Sequence, residues 1–136
     1  MRDNGSCLCG QLTYSISRDK VLSAHHCHCK DCQRVTGCGK ATILIVPSDD
    51  FEYSGEAHRH MVIGTDGGHV WREFCPTCGS QIFSYMEETP HFRFVKAGSL
   101  DDSSWVEVSS SFWTSTSQSW SPVDESLPGV EKNPGL

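Results

Sequence analysis

The sequence predicts an all-β fold with little helix, and two observations support this fold class. Most segments alternate apolar and polar residues with a period of two, which is the pattern of strands that bury one face. A helical pattern is confined to residues 30–36, about two turns of helix. Because the chain has 136 residues, the length of one ordinary domain, we expect its strands to surround a single core.

The strand boundaries follow from this alternation and from glycine-rich turns. In residues 69–74, for example, Val70, Arg72 and Phe74 share one face of a predicted strand. The glycine-rich residues 64–68 just before it are typical of a hairpin turn. The predicted strands, in chain order, are residues 12–17, 41–46, 58–63, 69–74, 81–85, 92–97 and 105–113.

The last part of the chain differs in composition from the rest. From residue 114 onward it is rich in Ser, Thr, Pro and Gly, which is typical of segments without a core of their own. We expect residues 1–121 to form the domain and residues 122–136 to form a tail held by Trp120 and Leu127. The remaining large aromatic residues are interpreted as core: Trp71, Phe83, Phe92, Phe94, Trp105 and Phe112.

Charge and hydropathy argue against several classes of partner. The formal net charge is −6 and the basic residues are scattered, which disfavours binding to phosphate backbones or anionic lipids. The N-terminus has no apolar stretch typical of a signal peptide, and the longest apolar run, residues 41–46, is too short to cross a bilayer. We therefore expect a soluble cytoplasmic protein that binds neither nucleic acid nor membranes.

Eight cysteines are many for this length, and a reducing cell interior favours metal binding over disulfides. Cys75 and Cys78, followed by Gly79, have the spacing of a zinc knuckle, because a Cys-x-x-Cys-Gly turn lets two sulfurs converge on one ion. Three clusters are present: Cys7 with Cys9; Cys27 with Cys29 and Cys32; and Cys75 with Cys78.

The number of ligands indicates how the clusters share metal ions. Structural zinc takes four protein ligands, which the first and third clusters together provide. The middle cluster provides three, the number typical of a catalytic zinc with a fourth position open to water or substrate. Alternatively, Cys38 or a histidine closes this second site, although an isolated cysteine is more often a free buried thiol. His25, His26 and His28 beside the ligands are candidates for metal binding or proton transfer, or are solvated.

With these clusters in this order, the chain resembles the family of glutathione-dependent formaldehyde-activating enzymes and centromere protein V, the GFA family. The resemblance covers nearly the whole chain and rests on residues 5–10, 26–37, 74–79 and 97–102, with Trp113 and Trp120. It implies a β-tent zinc-binding fold, in which antiparallel sheets are joined at a structural zinc site. It also implies two zinc ions per chain, a structural ion on Cys7, Cys9, Cys75 and Cys78 and a catalytic ion on Cys27, Cys29 and Cys32.

The activity that the resemblance implies is that of a carbon–sulfur lyase, which combines formaldehyde and glutathione into S-hydroxymethylglutathione. Three thiolates around a zinc dication leave a net charge of about −1, which makes a poor Lewis acid for activating water. Such a site favours a substrate thiol as fourth ligand, so a small aldehyde and a thiol are the expected partners. His26 and His28 are the predicted catalytic residues, passing the proton to the developing alkoxide.

Some residues differ from the pattern of the family. Relatives carry a histidine before the late aromatic pair and basic residues after it, where this chain has Ser111, Ser115 and Ser117. Because glutathione has two carboxylates that need cations or N–H donors, the thiol substrate stays open. Lys40 is a candidate replacement cation or a solvent-exposed residue. The rival hypothesis is a non-enzymatic zinc-dependent protein-interaction module, in which a fourth protein ligand closes the second site.

Overall fold

A computed structural model describes residues 2–134 and confirms the all-β prediction, with two sheets and one short helix. Met1, Gly135 and Leu136, the ends of the predicted domain and tail, lie outside the described residues. The helix α1 is Lys30–Thr36. The strands are β1 (Asp3–Ser6), β2 (Thr13–Ile16), β3 (Ser23–Cys27), β4 (Ala41–Pro47), β5 (Glu52–Ser54), β6 (His58–Ile63), β7 (His69–Phe74), β8 (Gln81–Met86), β9 (Phe92–Lys96) and β10 (Ser110–Phe112).

The two sheets differ in size. The small sheet has three antiparallel strands in the order β1-β2-β5, and the large sheet has seven in the order β10-β3-β4-β9-β8-β7-β6. All pairs in the large sheet are antiparallel except β10, which runs parallel to β3. The β6–β7 hairpin is confirmed, and the Gly64 N–H donates to the Gly68 carbonyl across its turn at 2.8 Å. Among residues 2–134 no helix is long and apolar enough to cross a membrane.

The large sheet presents two different faces, because successive side chains of a strand point to opposite sides. On one face Leu44, Val46, Phe83 and Val95 pack in the main core, together with side chains of the small sheet such as Tyr14. On the other face the alternate residues line a cavity. They include Ile43, Ile45, Phe94 and Lys96. Of the aromatic residues interpreted as core, Phe83 is confirmed in the main core and Phe112 in a second buried cluster, and Trp105 packs against the main core. Phe94 lines this cavity, as one side of Phe112 also does.

Helix α1 begins and ends as its sequence predicts. Cys29 is the N-cap, and its sulfur accepts a hydrogen bond from the Cys32 N–H at 3.2 Å. Gly37 ends the helix in a left-handed conformation with φ of 70°, which glycine adopts without steric cost, and its N–H donates to the Gln33 carbonyl. These caps place two cysteines of the middle cluster at the first turn of the helix.

The segment after residue 104 departs from prediction. The strand expected at residues 105–113 is limited to Ser110–Phe112. Trp120 is 67 % exposed with its ring beside Gly39, and Leu127 is half-buried, so the prediction that these two residues hold the tail stays a prediction. Backbone hydrogen bonds attach the tail to the domain, since the Ser111 N–H donates to the Pro128 carbonyl and the Val130 N–H donates to the Ser111 carbonyl. The predicted domain boundary at residue 121 stays a prediction.

Candidate metal centres

The first candidate centre is a group of four cysteines, Cys7, Cys9, Cys75 and Cys78, whose sulfurs all lie within 4.8 Å of one another. The Cys7 and Cys9 sulfurs are 3.6 Å apart, and those of Cys9 and Cys75 are 3.8 Å apart. Zinc bonded to four sulfurs at about 2.3 Å in a tetrahedron holds them roughly 3.8 Å apart. Both the donor set and the spacing therefore fit a closed zinc site.

This four-cysteine group joins the two sheets. Cys7 follows β1 of the small sheet, and Cys75 follows β7 of the large sheet. The knuckle turn after β7 is closed by the Gly79 N–H, which donates to the Cys75 carbonyl at 2.8 Å while Gly79 has a φ of 78°. Because both cysteines are buried in the main core, a metal ion here would link the sheets from inside.

Hydrogen-bond donors surround the four sulfurs. The Leu12 N–H donates to the Cys7 sulfur at 3.3 Å, and the Gln11 side-chain amide donates to the Cys75 sulfur at 3.4 Å. The Ser80 hydroxyl lies 3.2 Å from the Cys78 sulfur, and hydrogen bonds from this hydroxyl first, and then from the backbone at Ser80 and Cys9, lower the pKa of Cys78 to about 5. Such donors favour thiolates, which are the form that binds metal.

The second candidate centre is the group of Cys27, Cys29 and Cys32, whose sulfurs also lie within 4.8 Å of one another. Cys27 ends β3, and the other two flank the first turn of α1. No fourth cysteine, histidine or carboxylate joins this group within the part of the chain that the structure describes. Cys38 is exposed and lies outside the group, so it neither closes the site nor forms the expected buried thiol.

Proximity of the three sulfurs shapes their ionisation. Hydrogen bonds from the Cys27 and Cys29 thiols lower the pKa of Cys32 to about 3, and the positive charges of Arg72 and Lys96 act in the same direction. Hydrogen bonds with the Cys29 sulfur and then the Cys32 sulfur raise the pKa of Cys27. The group therefore holds its first negative charge readily and the others reluctantly, a condition that a bound cation relieves.

The three cysteines line a cavity of about 380 Å³ on the second face of the large sheet. Its apolar lining includes Ile43, Phe94 and Phe112. Trp113 and the tail residue Asn133 also line it, joined by a hydrogen bond from the indole N–H to the Asn133 side-chain oxygen at 2.6 Å. Trp113 is in the left-handed conformation, with φ of 57°, a strain that proteins tolerate most often at functional sites.

Two buried cations line the same cavity, and the sequence did not predict them. Arg72 is 8 % exposed and Lys96 is 9 % exposed. A third cation, Lys30, also lines the cavity but is exposed. Burial lowers the pKa of Lys96, while the negative charge of the nearby Cys32 thiolate acts in the opposite direction. The sequence contained a signal that could have identified Arg72. Arg72 lies on the same face of the predicted strand as Val70 and Phe74, and a single charge among apolar neighbours on a strand face is unusual.

The predicted catalytic histidines lie outside the lining of this cavity. The His26 ring is 2.7 Å from the Thr42 hydroxyl, and burial lowers the pKa of His26. His28 is fully buried, and neither ring nitrogen has a hydrogen-bond partner among residues 2–134. His25 stacks on Phe112 and lies between two serine hydroxyls. A proton-transfer role for His26 and His28 stays a prediction that their position does not favour.

Comparisons with known proteins agree with this architecture. The family model described as "GFA: Glutathione-dependent formaldehyde-activating enzyme" matches residues 2–116. A structural genomics crystal structure of a Rhodobacter sphaeroides protein is similar in fold, with a TM-score of 0.57 and 21 % identity over 72 % of this chain and 87 % of that chain. No curated protein matches the chain.

Proposed function

The chain belongs to the family of glutathione-dependent formaldehyde-activating enzymes, and on this premise we propose that it is a zinc-dependent carbon–sulfur lyase. Its substrates are a small aldehyde, such as formaldehyde, and a thiol, either glutathione or another. The observation that carries the proposal is the three-cysteine group, which lines a cavity and has no fourth protein ligand within residues 2–134. Three ligands and an open position are the arrangement of catalytic zinc.

The reaction needs one bond to form and one proton to move. The thiol sulfur attacks the carbonyl carbon, the carbon–sulfur bond forms, and the π electron pair of the carbonyl moves to oxygen. That oxygen takes up the proton that the thiol has lost, which gives the S-hydroxymethyl adduct, and the reverse reaction is an elimination. Zinc bound by Cys27, Cys29 and Cys32 supplies a soft positive charge that favours the thiolate form of the substrate at neutral pH.

Residues of the cavity wall exclude water and position the substrates. The apolar side chains of Phe94 and Phe112 line the cavity beside the three cysteines, which lowers the water content around the nucleophile. Hydroxyls of Ser84 and Thr116 also line it and are the groups from which a proton relay would start. Thr116 donates to the backbone carbonyl of His28 at 2.9 Å, a contact that orients the hydroxyl but does not lead to the imidazole ring. Proton transfer by His26 and His28 is therefore proposed on the sequence alone.

The four-cysteine group is proposed to hold a second, structural zinc. Its four sulfurs complete the coordination shell and leave no position for a substrate. The rival function, a non-enzymatic interaction module, requires a fourth protein ligand at the three-cysteine group. That ligand is absent from residues 2–134, which favours the enzyme.

The test combines metal analysis with exchange NMR. We expect two zinc ions per chain and faster interconversion of formaldehyde, free thiol and adduct with the zinc-loaded protein than without it. A Cys38→Ser variant is the matched control, since Cys38 is an exposed cysteine outside both groups, and it should keep both properties. No acceleration with glutathione or with any other thiol would contradict the proposed function.

A further inference from the structure

We propose that Arg72 and Lys96 form an anion-binding subsite in the cavity of the three-cysteine group, and that this subsite selects a substrate carrying a carboxylate. The assignment of substrate rests on the proposed function, whereas the binding subsite does not. The carboxylate belongs either to the thiol or to the aldehyde, and the two sources are separated by experiment.

Two positively charged side chains are buried on one face of the large sheet. Arg72 is on β7 and Lys96 on β9, and the strand between them, β8, contributes Ser84 to the same cavity. Both cations are more than nine-tenths buried. Arginine and lysine are almost never buried to this extent without a partner, because removing a charge from water is costly.

The charged neighbours of these two cations are the sulfurs of the three-cysteine group, and within residues 2–134 no carboxylate pairs with either cation. The Arg72 Nε atom is buried and has no hydrogen-bond partner there. A buried guanidinium with an unpaired N–H and no carboxylate partner is a group whose remaining donors a ligand oxygen would satisfy.

A positive charge remains in the inner cavity when the three-cysteine group holds its metal. Three thiolates and a zinc dication together carry about −1, and the two cations carry about +2, so the inner cavity retains about one positive charge. Lys30, Asp31 and Asp66 also line the cavity but are exposed, and water screens them more strongly. The inner cavity therefore favours an anion.

The chemistry of the two side chains favours a carboxylate in particular. A guanidinium forms paired, parallel hydrogen bonds to the two oxygens of a carboxylate, and an ammonium adds a compact positive charge. Apolar side chains of the same cavity, among them Ile43 and Phe94, suit a short hydrocarbon spacer.

Calorimetry on the zinc-loaded protein tests the subsite without requiring turnover. The ligands are 3-mercaptopropionate and its uncharged amide, with propionate and propionamide as a pair that lacks the thiol. We expect each acid to bind at least tenfold more tightly than its amide. Equal affinity of acid and amide in both pairs would overturn the proposal.

Variants separate the subsite from binding of the carboxylate to the metal itself. Lys96→Met and Arg72→Met should each remove most of the preference for the acid, with circular dichroism and zinc content confirming a folded, loaded protein. Lys20→Met, which changes the same charge at an exposed position outside the cavity, should keep the preference. A carboxylate bound by zinc would keep its advantage in both cavity variants, and that result would overturn the subsite.

Kinetics identify the source of the carboxylate. If it belongs to the thiol, 3-mercaptopropionate should exceed its amide in kcat/KM with formaldehyde. If it belongs to the aldehyde, glyoxylate should exceed formaldehyde with 2-mercaptoethanol, and Lys96→Met should abolish whichever preference is found. Binding preference without turnover would contradict the proposed lyase but support the subsite, whereas turnover without any acid preference would contradict the subsite alone.

Discussion

The two cysteine groups use the same ligand atoms in different surroundings. The four-cysteine group lies where the loop after β1 meets the turn after β7, and N–H and hydroxyl donors surround its sulfurs. The three-cysteine group lies at the end of β3 and the start of α1, beside a cavity with two buried cations. Ligand number and surroundings, rather than ligand type, distinguish a site that links two sheets from one that admits a substrate.

The largest effect is expected from breaking the four-cysteine group. Cys78→Ser removes one of four ligands from a site that joins both sheets, and metal binding at such sites is part of the folding free energy. We expect the loss of one zinc ion and a destabilisation of more than about 4 kcal/mol, up to complete unfolding. Zinc analysis and thermal unfolding followed by circular dichroism measure both, with Cys38→Ser as control.

Breaking the three-cysteine group should reduce turnover strongly and folding stability little. Cys29→Ser removes a ligand at the cavity, so turnover should fall by more than about 100-fold while the main core stays folded. The measurements are exchange NMR for turnover and thermal unfolding for stability. If Cys29→Ser and Cys78→Ser unfold the protein equally, the second group is structural as well.

A smaller effect is expected at Ser80, whose hydroxyl lowers the pKa of Cys78. In Ser80→Ala the pKa of Cys78 should rise, so protons compete with zinc at higher pH. The midpoint of zinc release on acidification should move upward by about 1 pH unit or less, the effect of one hydrogen bond. Ser84→Ala, a hydroxyl on the cavity wall, is the matched control. A midpoint unchanged or moved downward in Ser80→Ala would contradict this account of the donors.

The sequence predicted best the features that depend on neighbours along the chain. Residues 58–63 and 69–74 flank the glycine-rich hairpin turn, and they match β6 and β7. Residues 30–36 have a helical pattern followed by a glycine, and they match α1. β1, β3 and β5 were missed because they are short and mostly polar, and their partners in the sheets determine them more than their own composition. The strand predicted at residues 105–113 is limited to the three residues of β10, because only these pair with β3.

The candidate site was predicted in its ligands but not in its cavity. Spacing and family resemblance identified all seven cysteines of the two groups, because metal ligands cluster along the chain. Arg72 and Lys96 meet only through the register of three strands, which no local pattern records. Alternation likewise could not show that His26 and His28 lie outside the cavity lining. Cytoplasmic location and the absence of nucleic-acid or membrane partners stay predictions.

X-ray absorption at the zinc edge tests the contrast between the two groups most directly. The fully loaded protein should contain two zinc ions with an average of about 3.5 sulfur ligands each, since one site provides four and the other three. Addition of a substrate thiol should raise the average to about 4, and Cys38→Ser should leave both values unchanged. An average of four sulfurs before any thiol is added, or a single zinc ion per chain, would contradict the account.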